Sequence, residues 1–286
     1  MRICRFDNNR LGVVEGDEIL DVTDAIKVLP PVRWPLPIGD LLIANLPRVV
    51  EEIGRLRGSA RRMPLTSVTL LSPVANPSKI AAAPVNYLKH FQEAEADPAT
   101  FARHHVKRIE EVGIFLKAVS SLVGPGEGVK IRFPDRRNDH EIELAVIIGR
   151  TCNKVSREDA LKYVAGYAIG LDMTLRGPEE RSMRKSIDSY TVLGPWLVTA
   201  DEIPDPTRLS FELTVNGEVR QSANTRDLVI GIPQLIEWCS SYYTLHPGDV
   251  LLTGTPEGVG PVVPGDRMAA RFDGIGEMEI AVSLAA

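Results

Sequence analysis

Cysteine is scarce in this chain: Cys4, Cys152 and Cys239 are the only three in 286 residues. An odd number at such separations fits neither a disulfide framework nor a thiolate zinc site, so they are expected to be reduced thiols. Long apolar runs are also missing. None approaches the roughly eighteen residues of a membrane span, and the start, Met1-Arg2-Ile3-Cys4-Arg5-Phe6-Asp7, turns polar too soon for a secretion signal. Positive charge is not in excess: 33 Lys and Arg stand against 38 Asp and Glu, net −5. The basic residues are dispersed, which removes the electrostatic footprint of a nucleic-acid binder. The expectation is a cytoplasmic protein with neither nucleic acid nor membrane as partner. What is present, 44% hydrophobic and 25% charged residues, is ordinary globular composition. The length allows one large domain, or a main domain with an appendage.

Short apolar segments at Ile3–Phe6, Leu11–Val14 and Ile19–Val22 predict an antiparallel meander. Leu41, Leu42, Leu46, Val49, Val50, Ile53 and Leu56 recur at helical spacing, with Pro47 expected to break the stretch in two. This N-terminal unit is expected to end near Pro73 and Pro77, giving a small domain over 1–73 and a larger one over 74–286. The rest reads mostly as strands. One helix is predicted after the capping-box pattern Ser156-Arg157-Glu158-Asp159, and another from Pro233 until Pro247-Gly248 stops it. Asn216-Gly217 signals a two-residue hairpin, and Asp273–Gly276 a second. The fold class is α+β.

Chemistry concentrates in a few segments. In Asp139–Gly149 a strand puts Ile142, Leu144, Val146 and Ile148 on one face and Glu141 and Glu143 on the other. Two carboxylates roughly 7 Å apart repel unless solvent or a cation intervenes, and by spacing alone a solvated strand face remains open. Asp172 ends a second strand on a face otherwise lined by Gly166, Ala168 and Gly170, which something bulky must approach closely. Three carboxylates without a Cys or His set suit magnesium, manganese or calcium rather than zinc. His90 and Glu93, three apart on a helix, form a pair in which the acid can orient the imidazole, although such pairs are also common on surfaces. Gly254–Gly260 follows an apolar strand; Thr255 there can offer a hydroxyl to an anion, or the segment is a plain turn.

Together these segments resemble the fumarylacetoacetate hydrolase superfamily, close to its acylpyruvate hydrolases and 2-hydroxyhepta-2,4-diene-1,7-dioate isomerases. The resemblance runs from about Lys79 to the C-terminus. It is carried by Asn86-Tyr87 with His90, Phe115-Leu116-Lys117, Ser121–Gly126, the Glu141/Glu143 strand and Leu171–Thr174. It continues through Lys185–Asp188, Leu193–Trp196, Asn216–Gln221 and Gly254-Thr255-Pro256. It implies a mixed β-sheet roll, usually homodimeric, in which Glu141, Glu143 and Asp172 bind magnesium or manganese, calcium being able to replace it in crystals. It further implies that His90 and Glu93 act as base, that Arg176 and Lys185 carry catalytic positive charge, and that Tyr87, Lys117 and Thr255 contact substrate, with Asp188 in support. Two segments depart from the pattern. Ala94–Gly113, containing His104 and His105, is longer than the usual connection and could be a lid, and Gly177-Pro178-Glu179-Glu180 replaces an acidic residue followed by glutamine.

The function implied is metal-dependent hydrolysis of a carbon–carbon bond in a small 2-oxo or 1,3-diketo acid. Decarboxylation, isomerisation or hydration of a related acid in aromatic catabolism is the alternative. A metal-stabilised binding protein without turnover is the contrasting class.

Overall fold

The computed structural model describes residues 1–97, 100–101 and 107–285. The predicted meander forms: Arg2–Phe6, Arg10–Glu15 and Glu18–Asp21 pair antiparallel, and Arg61–Pro64 adds to the last. Its first turn places Asp7 and Asn9 at φ 46° and 62°, a conformation these side chains tolerate. Arg2–Phe6 also pairs with Thr191–Thr199, so the N-terminal strands continue into the main sheet. From there the order is Val164–Asp172, Ile142–Ile148, Val250–Leu252, Ile80–Ala82 and Phe115–Lys117. Val250–Leu252 runs parallel to Ile80–Ala82, which makes the sheet mixed. A five-stranded sheet contains Ser210–Val215, Glu218–Asn224, Arg267–Phe272, Gly276–Leu284 and Val129–Ile131. Both predicted hairpins lie in it, with Asn216 and Gly217 at φ 52° and 82°.

The main sheet is covered on both faces. Ile142, Leu144, Val146 and Ile148 share a core with Phe211, Met268 and Phe272 of the second sheet and with Leu235 and Ile236 of the helix Ile232–Tyr242. Ala145 and Ile147 point the other way, into a core with Val49 and Ile53 of the helix Leu46–Leu56. The face that carries the glutamates is therefore packed, not solvated. Each fully buried aliphatic side chain contributes about 1.5–3 kcal/mol, so a charge on this strand must be matched locally.

Pro47 acts as expected. The helices Leu41–Ala44 and Leu46–Leu56 meet at Asn45, and the proline sits in the second one's first turn, where its missing N–H costs nothing. Two helix expectations need correction. Ser156 and Asp159 make the capping contacts, Asp159 N–H donating to Ser156 Oγ at 3.3 Å, yet only the 3-10 turn Ala160–Tyr163 follows. Val164 enters the sheet at once, and Gly149 N–H donates to Tyr163 O at 2.7 Å, so pairing overrides the cap. The later helix ends at Tyr242, before Pro247, because Leu245 and Cys152 exchange backbone hydrogen bonds at 2.9 and 3.0 Å. Among the described residues no helix is long and apolar enough to cross a membrane.

Candidate metal centre and active site

Strand register brings the acids together. Ile142 lies opposite Leu171, so Glu141 falls beside Asp172, whose N–H donates to Glu141 O at 2.9 Å, and Glu143 faces Gly170. All three carboxylates emerge on one side of adjacent strands. A Cβ on Gly170 would lie 2.6 Å from Leu252 Cδ2, so the bulky neighbour expected on this face is Leu252. Glu141, Glu143 and Asp172 are 5%, 1% and 1% exposed, and each offers an oxygen within 4.8 Å of the others.

Such a group is costly unless positive charge surrounds it. Lys185 Nζ donates to Glu141 Oε2 at 2.7 Å and Asp172 Oδ2 at 2.6 Å. Arg176 donates to Glu141 Oε1 at 2.9 Å and to Asp139 at 2.7 Å. Burial pushes the Glu141 carboxyl up, but Lys185, Arg176 and His90 outweigh it and hold it below the usual carboxylate range. Glu143 differs. Its Oε2 accepts from Gly254 N–H at 2.6 Å, and no ion pair to it occurs among the described residues. Burial first, then repulsion from Asp172, raises its carboxyl well above the ordinary value despite Lys185. A buried set of oxygen donors, one of them, Glu143, with no ion pair among the described residues, fits a hard divalent cation.

His90 is 4% exposed and faces the cavity beside the trio. Its Nδ1–H donates to Glu93 Oε2 at 2.9 Å, while Glu93 Oε1 accepts from Gly258 N–H at 2.9 Å. The acid is thus pinned at both oxygens and fixes the tautomer that leaves Nε2 as the basic nitrogen. Thr255 lines the same cavity. Gln221 Oε1 accepts from Ile142 N–H and His140 Nδ1–H, both at 3.1 Å, so its amide nitrogen must donate to Thr255 Oγ1, at 2.7 Å. The threonine proton is thereby turned toward other acceptors. Val85, also in the wall, has φ 44°, strained for a β-branched residue and held there by its surroundings.

Not every expected contact lies at the cavity. Tyr87 packs edge-on against Phe211, centroids 6.3 Å apart, outside the cavity lining, so the geometry gives no support to substrate binding by it. Lys117 is buried outside the cavity lining, donating to Asp172 Oδ1 and to Tyr190 O at 2.8 Å. Asp188 is exposed and paired with Arg132. His104 and His105 lie outside the described residues, although Thr100 and Phe101 of the same segment line the cavity. Gly177 fits a tight approach, since a Cβ there would stand 1.9 Å from Arg136 Nη2. Sequence reasoning missed Arg181 and Arg184, which line the cavity with Phe101 and Phe115. Their spacing with Lys185, one and three positions apart along the chain from 184, was the available signal.

Residues 79–283 match the family described as Fumarylacetoacetate (FAA) hydrolase C-terminal. A maleylpyruvate hydrolase of Aquipseudomonas alcaligenes is 59% identical over 288 residues, covering 99% of each chain. The crystal structure of maleylpyruvate hydrolase from Sphingobium sp. SYK-6 in complex with manganese(II) ion and pyruvate is 43% identical, with TM-score 0.84 and 100% of both chains covered. A mitochondrial oxaloacetate tautomerase of Xenopus laevis is 36% identical over 274 residues, covering 91% of this chain and 81% of that one.

Proposed function

Because the chain belongs to the fumarylacetoacetate hydrolase family, we propose that it is a divalent-metal-dependent hydrolase that cleaves maleylpyruvate or a close acylpyruvate at a carbon–carbon bond. The observation that carries this is the buried trio Glu141, Glu143 and Asp172 with the His90–Glu93 pair facing the same cavity. The relatives named maleylpyruvate hydrolase support the substrate class. We take residues 1–73 as a small domain and 74–286 as the catalytic one, in line with a family match that begins at residue 79.

Glu141, Glu143 and Asp172 would hold magnesium or manganese. The ion, when bound, supplies Lewis-acid polarisation of the oxygens of a 2-oxo acid. His90 Nε2, backed by Glu93, takes a proton from water. The water oxygen adds to the acyl carbonyl carbon farther from the 2-oxo acid, and the bond from that carbon to the pyruvyl methylene breaks. The electron pair stays with the pyruvyl fragment, and the proton held by His90 is returned to its methylene carbon. One water is consumed, and a carboxylic acid and pyruvate leave. Lys185 and Arg176 hold the negative charge that grows on oxygen, already oriented by their carboxylate partners. Thr255 donates its hydroxyl proton to a substrate carboxylate.

The Xenopus relative named a tautomerase marks proton transfer without hydrolysis as the second reading. The two-point anchoring of Glu93, which makes His90 a fixed base, favours hydrolysis. Assays with maleylpyruvate, fumarylpyruvate, acetylpyruvate and oxaloacetate, with magnesium or with EDTA, test this. Metal-dependent release of pyruvate from an acylpyruvate is expected; ketonisation of oxaloacetate alone would replace it with the tautomerase reading, and metal binding with no turnover would leave a binding protein. A cytoplasmic homodimer completes the proposal, supported by buried free cysteines and by an exposed apolar loop with Trp34 91% exposed. Sedimentation of the purified protein checks the dimer.

A further inference from the structure

We infer that Gln221 is a positioning residue that makes the Thr255 hydroxyl a committed donor, so that this part of the cavity selects a carboxylate over a neutral amide; this rests on the 2-oxo acid chemistry proposed for the same cavity. Gln221 belongs to Glu218–Asn224, the strand that follows the Asn216-Gly217 turn. Leu213 pairs with Gln221 and Thr214 with Val219, so the register shifts beside it. The side chain is 1% exposed and reaches Ile142, on the strand next to the metal-site acids.

All four hydrogen-bonding positions of its amide are filled. Ile142 N–H can only donate, so the Gln221 atom facing it at 3.1 Å is the oxygen, which also accepts from His140 Nδ1–H at 3.1 Å. Pro256 O can only accept, so the atom facing it at 3.0 Å is the nitrogen, whose other hydrogen goes to Thr255 Oγ1 at 2.7 Å. An amide fixed at both ends cannot flip, and a hydroxyl that accepts from it keeps its own proton for another acceptor. Thr255 is 3% exposed, lines the cavity and donates to no acceptor among the described residues. Its loop is pinned on either side: Gly254 N–H donates to Glu143 Oε2 at 2.6 Å and Gly258 N–H to Glu93 Oε1 at 2.9 Å. Gly258, at φ 89°, packs so closely that a Cβ would stand 2.1 Å from Arg220 O. The hydroxyl thus has its place and its polarity before a ligand arrives. A carboxylate oxygen accepts its proton in a charge-assisted bond; a neutral amide accepts it more weakly through its carbonyl, or turns a second donor against it.

The test uses the full chain loaded with Mn2+, with pyruvate and pyruvamide as calorimetric probes and each variant checked for folding by circular dichroism. Gln221→Glu keeps the shape but puts an acceptor where the nitrogen was, which draws the Thr255 proton to itself and leaves a lone pair facing the cavity. Affinity for pyruvate relative to pyruvamide is expected to fall about 10–100-fold in Q221E, the scale of one hydrogen bond to a charged group. For maleylpyruvate, KM should rise by more than kcat falls. Gln221→Met removes the donor without adding an acceptor, so Q221M should show a smaller fall. In a Thr255→Val background neither change should alter the ratio, because the hydroxyl through which Gln221 acts is gone. A ratio unchanged in Q221E and Q221M, or a fall that persists in full without the hydroxyl, would overturn the positioning role. Should Q221E fail to fold, the same two outcomes are read from Q221M. If T255V alone leaves pyruvate affinity at the wild-type value, the Thr255 contact in the hydrolase proposal fails and takes this inference with it. If the wild type turns over no acylpyruvate, the hydrolase proposal fails on its own, and the calorimetric ratio still decides for or against Gln221.

Discussion

The acidic corner and the cationic wall of the same cavity are built in opposite ways. Glu141, Glu143 and Asp172 sit on adjacent antiparallel strands, where register and backbone hydrogen bonds set each position to a fraction of an ångström. Arg181, Arg184 and Lys185 sit on a five-residue helix inside the connection from Thr174–Leu175 to Thr191–Thr199. Shifting one residue in the strands would turn every carboxylate into the opposite core, whereas the connection can change sequence without disturbing the sheet. The metal-site acids are therefore held by the sheet, and the cationic wall of the same cavity by the connection.

The largest break in that contrast is expected at the corner. Asp172→Ala should abolish tight Mn2+ binding and lower kcat/KM by about 10³ or more, because it removes one ligand and leaves the buried Lys117 without its carboxylate partner; calorimetry and turnover check both, and retained affinity would dismiss the trio as a metal site. His90→Ala should lower kcat by about 10²–10⁴ while leaving metal affinity intact; unchanged turnover would reject the base. Gly170→Ala should destabilise the fold by about 1–3 kcal/mol through the clash with Leu252, read from denaturant unfolding of the metal-loaded protein.

A smaller effect follows from Glu143. Its carboxyl is raised in the ion-free fold, so it keeps a proton that the unfolded chain gives up, and stability falls as pH rises above the ordinary carboxylate value. A bound cation displaces that proton and removes the penalty. The rise in Tm on adding Mg2+ to stripped protein should therefore grow as pH increases; a constant or shrinking rise would contradict the raised carboxyl. The smallest effect is expected at Tyr87→Phe, within about twofold in kcat/KM, because the ring packs on Phe211 outside the cavity. A large loss would put Tyr87 back among the substrate contacts.

Much of this was legible because periodicity is local. Alternation in Ile142–Ile148 announced which residues face together, and Asn216-Gly217 announced its turn, since both depend on neighbours along the chain. The capping box at Ser156 misled for the same reason: it encodes a helix start but not the sheet that claims Val164 eight residues later. That neither Lys117 nor Tyr87 lines the cavity depends on neighbours far along the chain, which no local pattern carries.

By itself the amino-acid order determined the faces of the strands, the turns, the hard-oxygen character of the acids and the His90–Glu93 spacing, all set within a few residues by backbone geometry. Tertiary structure alone decided that the glutamate face is a second core, that Glu141 and Glu143 titrate in opposite directions, and that Arg181 and Arg184 reach the cavity. Those outcomes depend on burial and on charges brought from far along the chain, and desolvation and Coulomb energy are properties of three-dimensional neighbours.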